Sequence, residues 1–206
     1  MSYATRRVGH VGNTATDAEL ALLHPSTVEA RRAAFVAGRT AAHAALASLD
    51  RDVPQILAGS MRQPLWPVGI TASLSHAGDV AVAVAASREH TGGVGIDVEL
   101  ARPTPELWDQ VPLAREHRWL QAIGDAAERD RMLLALFSAK EAIYKAFFPR
   151  VGAYFGFEAA ALQPTSHGFA ASLVESIDEA YPPARVIRIH SAWFGDLVRS
   201  WLVLPR

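Results

Sequence analysis

The chain of 206 residues contains no cysteine, which excludes thiol nucleophiles, disulfides, iron–sulfur clusters and thiolate-bound zinc, and leaves carboxylates and eight histidines as possible metal ligands. Lysine is almost as scarce. Of the 20 basic residues only Lys140 and Lys145, five positions apart, are lysines, and every other one is arginine. An excess of one charge is missing too: 20 Lys plus Arg stand against 21 Asp plus Glu, so no bulk positive field gathers nucleic acid or acidic lipid, and any anion must be bound locally. The longest apolar run, 80–86, has seven residues, far below the roughly 20 of a membrane span. The amino end leads into no apolar stretch of the secretory kind. The expected location is the cytoplasm, with neither nucleic acid nor membrane as a partner. No Gly-x-x-x-x-Gly-Lys loop, His-Glu-x-x-His helix or Gly-x-Ser-x-Gly elbow occurs, so P-loop, zincin and serine-hydrolase chemistries lack support.

What is present is ordered twice in the same way. Ser26 and Glu29 have capping-box spacing, and Phe35, Gly38, Ala42, Ala45, Leu46 and Leu49 follow at helical spacing, which predicts a helix over about 27–49. After a Pro-containing loop at 50–67, alternation of Ile70, Ala72, Leu74 and of Val80, Val82, Val84 around the turn 76–79 predicts a β-hairpin. A third strand runs over 94–100. Pro103-Thr104-Pro105 is the expected linker between lobes at 1–102 and 103–206, and a broken helical stretch containing Pro112 leads to Ile123. Gly124 and Asp125 mark a restart. Leu133, Leu136, Phe137, Tyr144 and Phe147 then predict a helix over 126–148, ended by Pro149, and weaker strand signals lie at 157–162, 168–174, 185–193 and 197–204. Each half therefore reads as a helix followed by strands, although no sequence identity links the halves.

Two clusters carry chemistry. In Gly93-Val94-Gly95-Ile96-Asp97-Val98-Glu99 the period of two puts Asp97 and Glu99 on one strand face, about 7 Å apart, with both glycines clearing that face. A hard cation could bridge them; an ordinary half-exposed strand has the same pattern. In Phe137-Ser138-Ala139-Lys140-Glu141-Ala142-Ile143-Tyr144-Lys145, Glu141 and Lys145 share a helix face, as a surface ion pair also would. Lys140 falls in the middle of the apolar stripe. A buried ammonium is costly unless paired, so Lys140 either snorkels to solvent or reaches an anion at the edge of the core. Arg32, Arg39 and His43 form a basic stripe on the first helix, a solvated face or a phosphate clamp. His76 lies in a turn, where an anion contact and plain solvation are both open.

Together, Gly-Val-Gly-Ile-Asp-Val-Glu at 93–99 and Phe-Ser-Ala-Lys-Glu-Ala-Ile-Tyr-Lys-Ala at 137–146 resemble the two signature motifs of the 4'-phosphopantetheinyl transferases. Arg31-Arg32 with Ala37-Gly38-Arg39, then Arg62-Gln63-Pro64-Leu65-Trp66-Pro67 and Ser73-Leu74-Ser75-His76, resemble further blocks of the larger type of that family, which activates siderophore, nonribosomal-peptide and polyketide synthases. The resemblance runs from about 26 to 148. It implies an α+β fold, a pseudo-dimer of two similar lobes, each a long helix packed on a small antiparallel sheet, with the coenzyme A site at the lobe interface and the chain acting as a monomer. It implies Mg²⁺, or Mn²⁺ in its place, on Asp97, Glu99 and Glu141, and coenzyme A as substrate. Lys145 and Lys140 would contact the pyrophosphate. Ser75 and His76 would contact a phosphate, with His76 counted among the catalytic groups, while Arg31, Arg32, Arg39 and Arg62 belong to the blocks that hold the 3'-phosphate and adenine end. Glu141 is the expected base for the serine of an apo carrier protein, peptidyl, aryl or acyl.

Beside the linker, Leu107, Trp108 and Trp119 are expected to be exposed and to offer that carrier protein an apolar surface. Two other classes fit parts of the pattern. A Mg²⁺-dependent phosphodiesterase also needs clustered carboxylates and a lysine, and a noncatalytic module for coenzyme A or a carrier protein would keep the fold alone.

Overall fold

Two hydrophobic cores form, one in each half of the chain, and each is closed by a long helix laid on an antiparallel sheet. The computed structural model describes residues 1–7, 14–51, 53, 55–102, 105–183 and 185–206. They divide into two units, Met1–Val94 with Pro205–Arg206, and Gly95–Leu204. Pro103 and Thr104 of the expected linker lie outside the described residues. The division falls within a strand, ahead of the expected 102/103 boundary, because that strand is hydrogen-bonded into the sheet of the second unit.

The N-terminal unit comprises β1 (Ser2–Arg7), α1 (Asp17–Leu20), α2 (Glu29–Ala47), β2 (Ile70–Ala77) and β3 (Val80–Ser87), with sheet order β1-β3-β2. The alternating apolar residues form the expected hairpin, with Ile70 opposite Ser87 and Ala77 opposite Val80. His76 and Ala77 belong to β2 and not to the turn, which shrinks to Gly78 and Asp79; Gly78 at φ 56° suits the twist of a two-residue hairpin loop. Helix α2 begins at Glu29 after Val28, without a side-chain cap. The capping box expected from Ser26 does not form, since Ser26 is bonded to His24 instead. Ala41, Ala42, Ala45 and Leu46 are buried on α2 against Ile70, Ala83 and Ala85.

The C-terminal unit comprises β4 (Gly93–Leu100), α3 (Glu106–Gln110), α4 (Ala114–Gln121), α5 (Ala126–Val151), β5 (Ala160–Thr165), β6 (Gly168–Leu173), β7 (Val186–Phe194) and β8 (Leu197–Leu204), with sheet order β4-β8-β7-β6-β5. Asp125 caps α5 by accepting the Glu128 N–H at 2.7 Å. Pro149 does not end the helix; it sits in the last turn, and Gly152 at φ 67° stops it. Leu136, Ile143 and Phe147 are fully buried on α5 against Phe169, Leu202 and Leu204, and burying each is worth about 2–3 kcal/mol. Leu107, Trp108 and Trp119 are not an exposed apolar surface. They are partly buried against this core, and the Trp119 indole N–H donates to Leu162 O at 3.3 Å.

In both units the strand ahead of the long helix lies beside the last strand, and the last two strands form a hairpin. The similarity expected from pattern is therefore one of topology. The hairpin β5–β6 is the main addition in the second unit; among the described residues, the first has the bridge Ala58–Pro64 at the corresponding place. Among the described residues, no helix is long and apolar enough to cross a membrane.

Candidate active site

Strand β4 and helix α5 approach one another at a glycine. A Cβ on Gly95 would lie 1.9 Å from the carbonyl oxygen of Ala142 and 3.0 Å from the Ala146 methyl, so only a residue without a side chain lets the two backbones meet there. Gly95 thus does more than clear a face. It brings Asp97, two residues along the same face, onto α5.

Asp97 is consequently buried, 2% exposed, on a face where alternation alone predicts solvent. Its Oδ1 accepts the Lys145 ammonium at 2.6 Å, while Lys145 keeps a quarter of its side chain in solvent. The surface pair expected between Glu141 and Lys145 is replaced by this cross-element pair, with Glu141 close enough to feel both partners electrostatically. Burial pushes the Glu141 carboxyl above its ordinary pKa, Lys145 opposes this and Asp97 adds to it. Glu99 is pushed up to about 7 by burial and then by Asp97, with Glu141 contributing and Lys145 and Arg102 opposing. Three carboxylates and one ammonium therefore share a poorly solvated patch where negative charge is in excess.

That is the electrostatic condition a divalent cation relieves, and the donors are all oxygens, as Mg²⁺ prefers. The donor set fits the implied metal in chemistry and position. Among the described residues no three His, Asp or Glu side chains converge as a metal cage, because Asp97 is turned to Lys145.

Beside Glu141 opens a cavity of about 130 Å³, walled by Tyr144, Tyr154, Phe155 and Phe157. The Tyr144 ring packs on Phe155 at 5.0 Å and on Tyr154 at 5.9 Å, and Phe137 meets Phe157 edge-on at 5.7 Å. Usual ligand pockets measure roughly 300–1,000 Å³. This one admits a narrow chain and no nucleotide. The aromatic wall was not legible as a site, since in sequence Tyr144 continues the core stripe and 154–157 follow the helix end.

Lys140 also lines this cavity, but its ammonium is bonded elsewhere. Its residue is 3% exposed, and its ammonium donates to Glu116 Oε2 at 2.7 Å, Val111 O at 3.0 Å and Phe157 O at 3.0 Å. An ammonium has three N–H donors, and all are used, so the expected pyrophosphate contact has no donor left in this structure. Of the two alternatives posed for a lysine in the stripe, snorkelling fails and pairing holds: Lys140 reaches an anion, the Glu116 carboxylate, which lies inside the core and not at its edge. Glu116, fully buried on α4, is the residue that sequence reasoning missed. A Leu113-x-x-Glu116 spacing with no polar residue at its head gave no signal.

The other expected site residues belong to the N-terminal unit. Arg31 is exposed and Arg32 half-buried on α2, and Arg62 is exposed at φ 62° in the loop before β2. Ser75 is buried and His76 exposed near the end of β2. The basic stripe is not a uniformly solvated face. Arg39 is 5% exposed with its guanidinium over the Phe35 ring at 4.8 Å, and His43 pairs with Glu19 at 2.9 Å.

Comparison with known proteins agrees with this layout. Residues 18–86 match the 4'-phosphopantetheinyl transferase N-terminal domain, and residues 93–188 match the 4'-phosphopantetheinyl transferase superfamily. The chain is 38% identical over 135 residues to the 4'-phosphopantetheinyl transferase Npt of Nocardia iowensis, covering 65% of this chain and 60% of that protein. It is 32% identical over 180 residues to the 4'-phosphopantetheinyl transferase Svp of Streptomyces mobaraensis, covering 80% and 71%. To enterobactin synthase component D of Salmonella typhi it is 42% identical over 125 residues, covering 59% and 50%. The matched part thus spans from half to about seven tenths of these relatives' lengths. A holo-ACP-synthase from Plasmodium yoelii aligns with a TM-score of 0.42 at 14% identity, over 57% of this chain and 98% of that one, too loosely to bear on the argument.

Proposed function

Because the chain belongs to the 4'-phosphopantetheinyl transferase superfamily, we propose that it transfers the 4'-phosphopantetheine group of coenzyme A to a serine hydroxyl of an apo carrier protein, releasing 3',5'-ADP. The observation that carries the reading is the buried Asp97–Lys145 pair, set beside Glu99 and Glu141 where β4 meets α5.

Asp97, Glu99 and Glu141 are the residues that would hold Mg²⁺, or Mn²⁺ in its place. When bound, the cation supplies neutralisation of charge on the pyrophosphate of coenzyme A. Glu141 takes the proton of the serine hydroxyl as that oxygen forms its bond to the β-phosphorus and the bond from phosphorus to the departing 3',5'-ADP breaks. Burial raises its pKa, which makes it a stronger base than an ordinary carboxylate. Lys145, a quarter exposed to solvent, compensates charge on the phosphoryl oxygens, and Asp97 holds it in place. The narrow aromatic cavity beside Glu141 suits the uncharged pantetheine arm. In the N-terminal unit, Arg31, Arg32, Arg39, Arg62, Ser75 and His76 serve as phosphate contacts in this reading. The partners are carrier proteins or carrier domains of siderophore, nonribosomal-peptide or polyketide synthases.

The test is intact-mass analysis of an apo carrier protein incubated with this protein, coenzyme A and Mg²⁺. The expected result is a gain of one phosphopantetheine on the carrier serine, abolished by chelation. Hydrolysis of simple phosphodiesters without a carrier protein, or coenzyme A binding with no transfer to carriers from several synthases, overturns it in favour of a phosphodiesterase or a binding module respectively.

A further inference from the structure

The two units place the same carboxylate in the same position. Glu19 is the third residue of α1 and Glu116 the third of α4, and both side chains are fully buried. In each, Oε2 accepts the backbone N–H three residues earlier, from Thr16 at 2.8 Å and from Leu113 at 2.6 Å. In each, Oε1 accepts a backbone N–H from the segment after the long helix, from Ile56 at 2.8 Å and from Leu162 at 2.7 Å. In each, a basic side chain of the long helix, 24 residues further on, completes the set: His43 Nε2 at 2.9 Å from Glu19, Lys140 Nζ at 2.7 Å from Glu116.

The register of the elements agrees. The same displacement along the chain separates the starts of α1 and α4 at 17 and 114, the carboxylates at 19 and 116, the starts of α2 and α5 at 29 and 126, and the basic residues at 43 and 140. Ile56 and Leu162, which supply the second donor, are both fully buried. Three bonds to one carboxylate recur in two sequences with no identity to suggest it.

The comparison separates fold from chemistry. One and five residues beyond His43 stand Ala44 and Ser48, where the C-terminal unit has Glu141 and Lys145. The arrangement therefore occurs where there is no acid or ammonium to serve a phosphate. Both copies tie a short helix, the long helix and the following segment together through one buried charge. The C-terminal copy does more, because Lys140 also fastens Val111 O and Phe157 O, and Phe157 walls the cavity next to Glu141.

We infer that Lys140, although it lies within the second motif, is the C-terminal half of a duplicated carboxylate lock, a positioning residue that holds Glu141 and the cavity wall at Phe157 and makes no contact with the pyrophosphate of coenzyme A. The inference rests on the transferase reading for its kinetic readout only.

A double-mutant cycle with Lys140→Met, Glu116→Gln and the double variant tests it by thermal unfolding, calorimetric coenzyme A binding and steady-state transfer. Breaking either side of the lock lowers Tm by roughly 6–20 °C. The second substitution costs much less on top of the first than alone, because both remove the same interaction. Coenzyme A affinity stays within about threefold of wild type in all three variants, while kcat falls by about tenfold or more with KM for coenzyme A unchanged, the signature of a displaced catalytic group and not of a lost substrate contact. A tenfold loss of coenzyme A affinity in Lys140→Met that Glu116→Gln does not share overturns the inference, since Glu116→Gln keeps the ammonium. So does Glu116→Gln with the Tm and kcat of wild type. If Lys140→Met does not fold, Glu116→Gln alone decides on those same criteria. Wild-type protein that transfers nothing to any carrier removes the transferase reading, yet the Tm coupling between 116 and 140 still supports or refutes the lock.

Discussion

Replacing Gly95 by alanine adds one methyl group where two backbones already touch. The new Cβ would sit 1.9 Å from the Ala142 carbonyl oxygen, 2.9 Å from its carbon and 3.0 Å from the Ala146 methyl. Two of these obstacles are main chain of a helix interior, which cannot swing aside as a side-chain tip can. To restore even a tight contact, β4 and α5 must part by roughly 1 Å, and overpacking of this kind costs about 1–3 kcal/mol, with the upper end expected here. For a chain of this length that corresponds to a fall in Tm of about 6–12 °C at 3 kcal/mol. Function is hit separately, because Asp97 rides on the same strand and its 2.6 Å bond to Lys145 spans the gap that widens. A misplacement of about 1 Å can cost on the order of 10²-fold in rate. Thermal unfolding followed by circular dichroism gives the first number, and phosphopantetheine transfer followed by intact mass, at a temperature where the variant remains folded, gives the second. A Gly95→Ala protein with Tm within about 2 °C of wild type and unaltered transfer would refute the assignment of Gly95 as the spacer between β4 and α5.

Glu141→Gln should lower transfer by about 10²–10⁴-fold while leaving the fold intact, which Tm and single-turnover mass analysis together decide; a rate near wild type removes Glu141 as the base. Asp97→Asn should abolish transfer and also lower Tm, since it withdraws the buried partner of Lys145, so a normal Tm in that variant counts against the ion pair. Burial pushes the Glu19 carboxyl up, but the N–H groups of Thr16 and Ile56 and the neighbouring His43 outweigh it and hold the pKa below the usual 4.5. A depressed carboxyl pKa stabilises the fold above the unfolded pKa and loses that stabilisation as pH falls through the folded one. Glu19→Gln should therefore be less stable than wild type at pH 7, with the gap in urea midpoint closing as pH drops below about 4.5; a gap that widens in acid contradicts this sign.

Local periodicity carried most of the architecture. Strands β7 and β8 were legible because their apolar residues alternate over a half-buried sheet, β2 and β3 because their apolar residues alternate around a turn although both faces are largely buried, and α5 because its stripe persists for several turns. Strand β1 was not, since Ser-Tyr-Ala-Thr-Arg-Arg offers one buried residue, Ala4, and owes its place to pairing with β3. Helix α1, four residues long, is held by the Thr16–Glu19 capping box and by Glu19's tertiary bonds, not by propensity. Periodicity also assigned the Asp97 face to solvent, because a period of two tells which residues share a face and not what covers it. The covering helix announces itself only through Gly95, whose reason is a contact with a residue 47 positions away.

The candidate site shows the same limit more sharply. Residue type and spacing brought Asp97, Glu99, Glu141 and Lys145 into view together, and those four do share one patch. Lys140 was drawn toward the same chemistry only because it stands next to Glu141 in a motif. Its position in the apolar stripe was the better clue, since a buried ammonium must satisfy its three donors within the core. The acceptors lie on α4, in the loop at Val111 and at Phe157, none of them marked in the sequence. A carboxylate that satisfies a helix end, a following segment and a basic side chain at once has its bonds made without any ligand, which is why the N-terminal unit can keep the arrangement with alanine at 44 and serine at 48. In the proposed function, catalytic character comes from groups whose charge the fold leaves in excess, Glu99 and Glu141, and in the inferred lock the neighbouring lysine, with its three N–H bonds made inside the protein, supplies the rigidity against which they act.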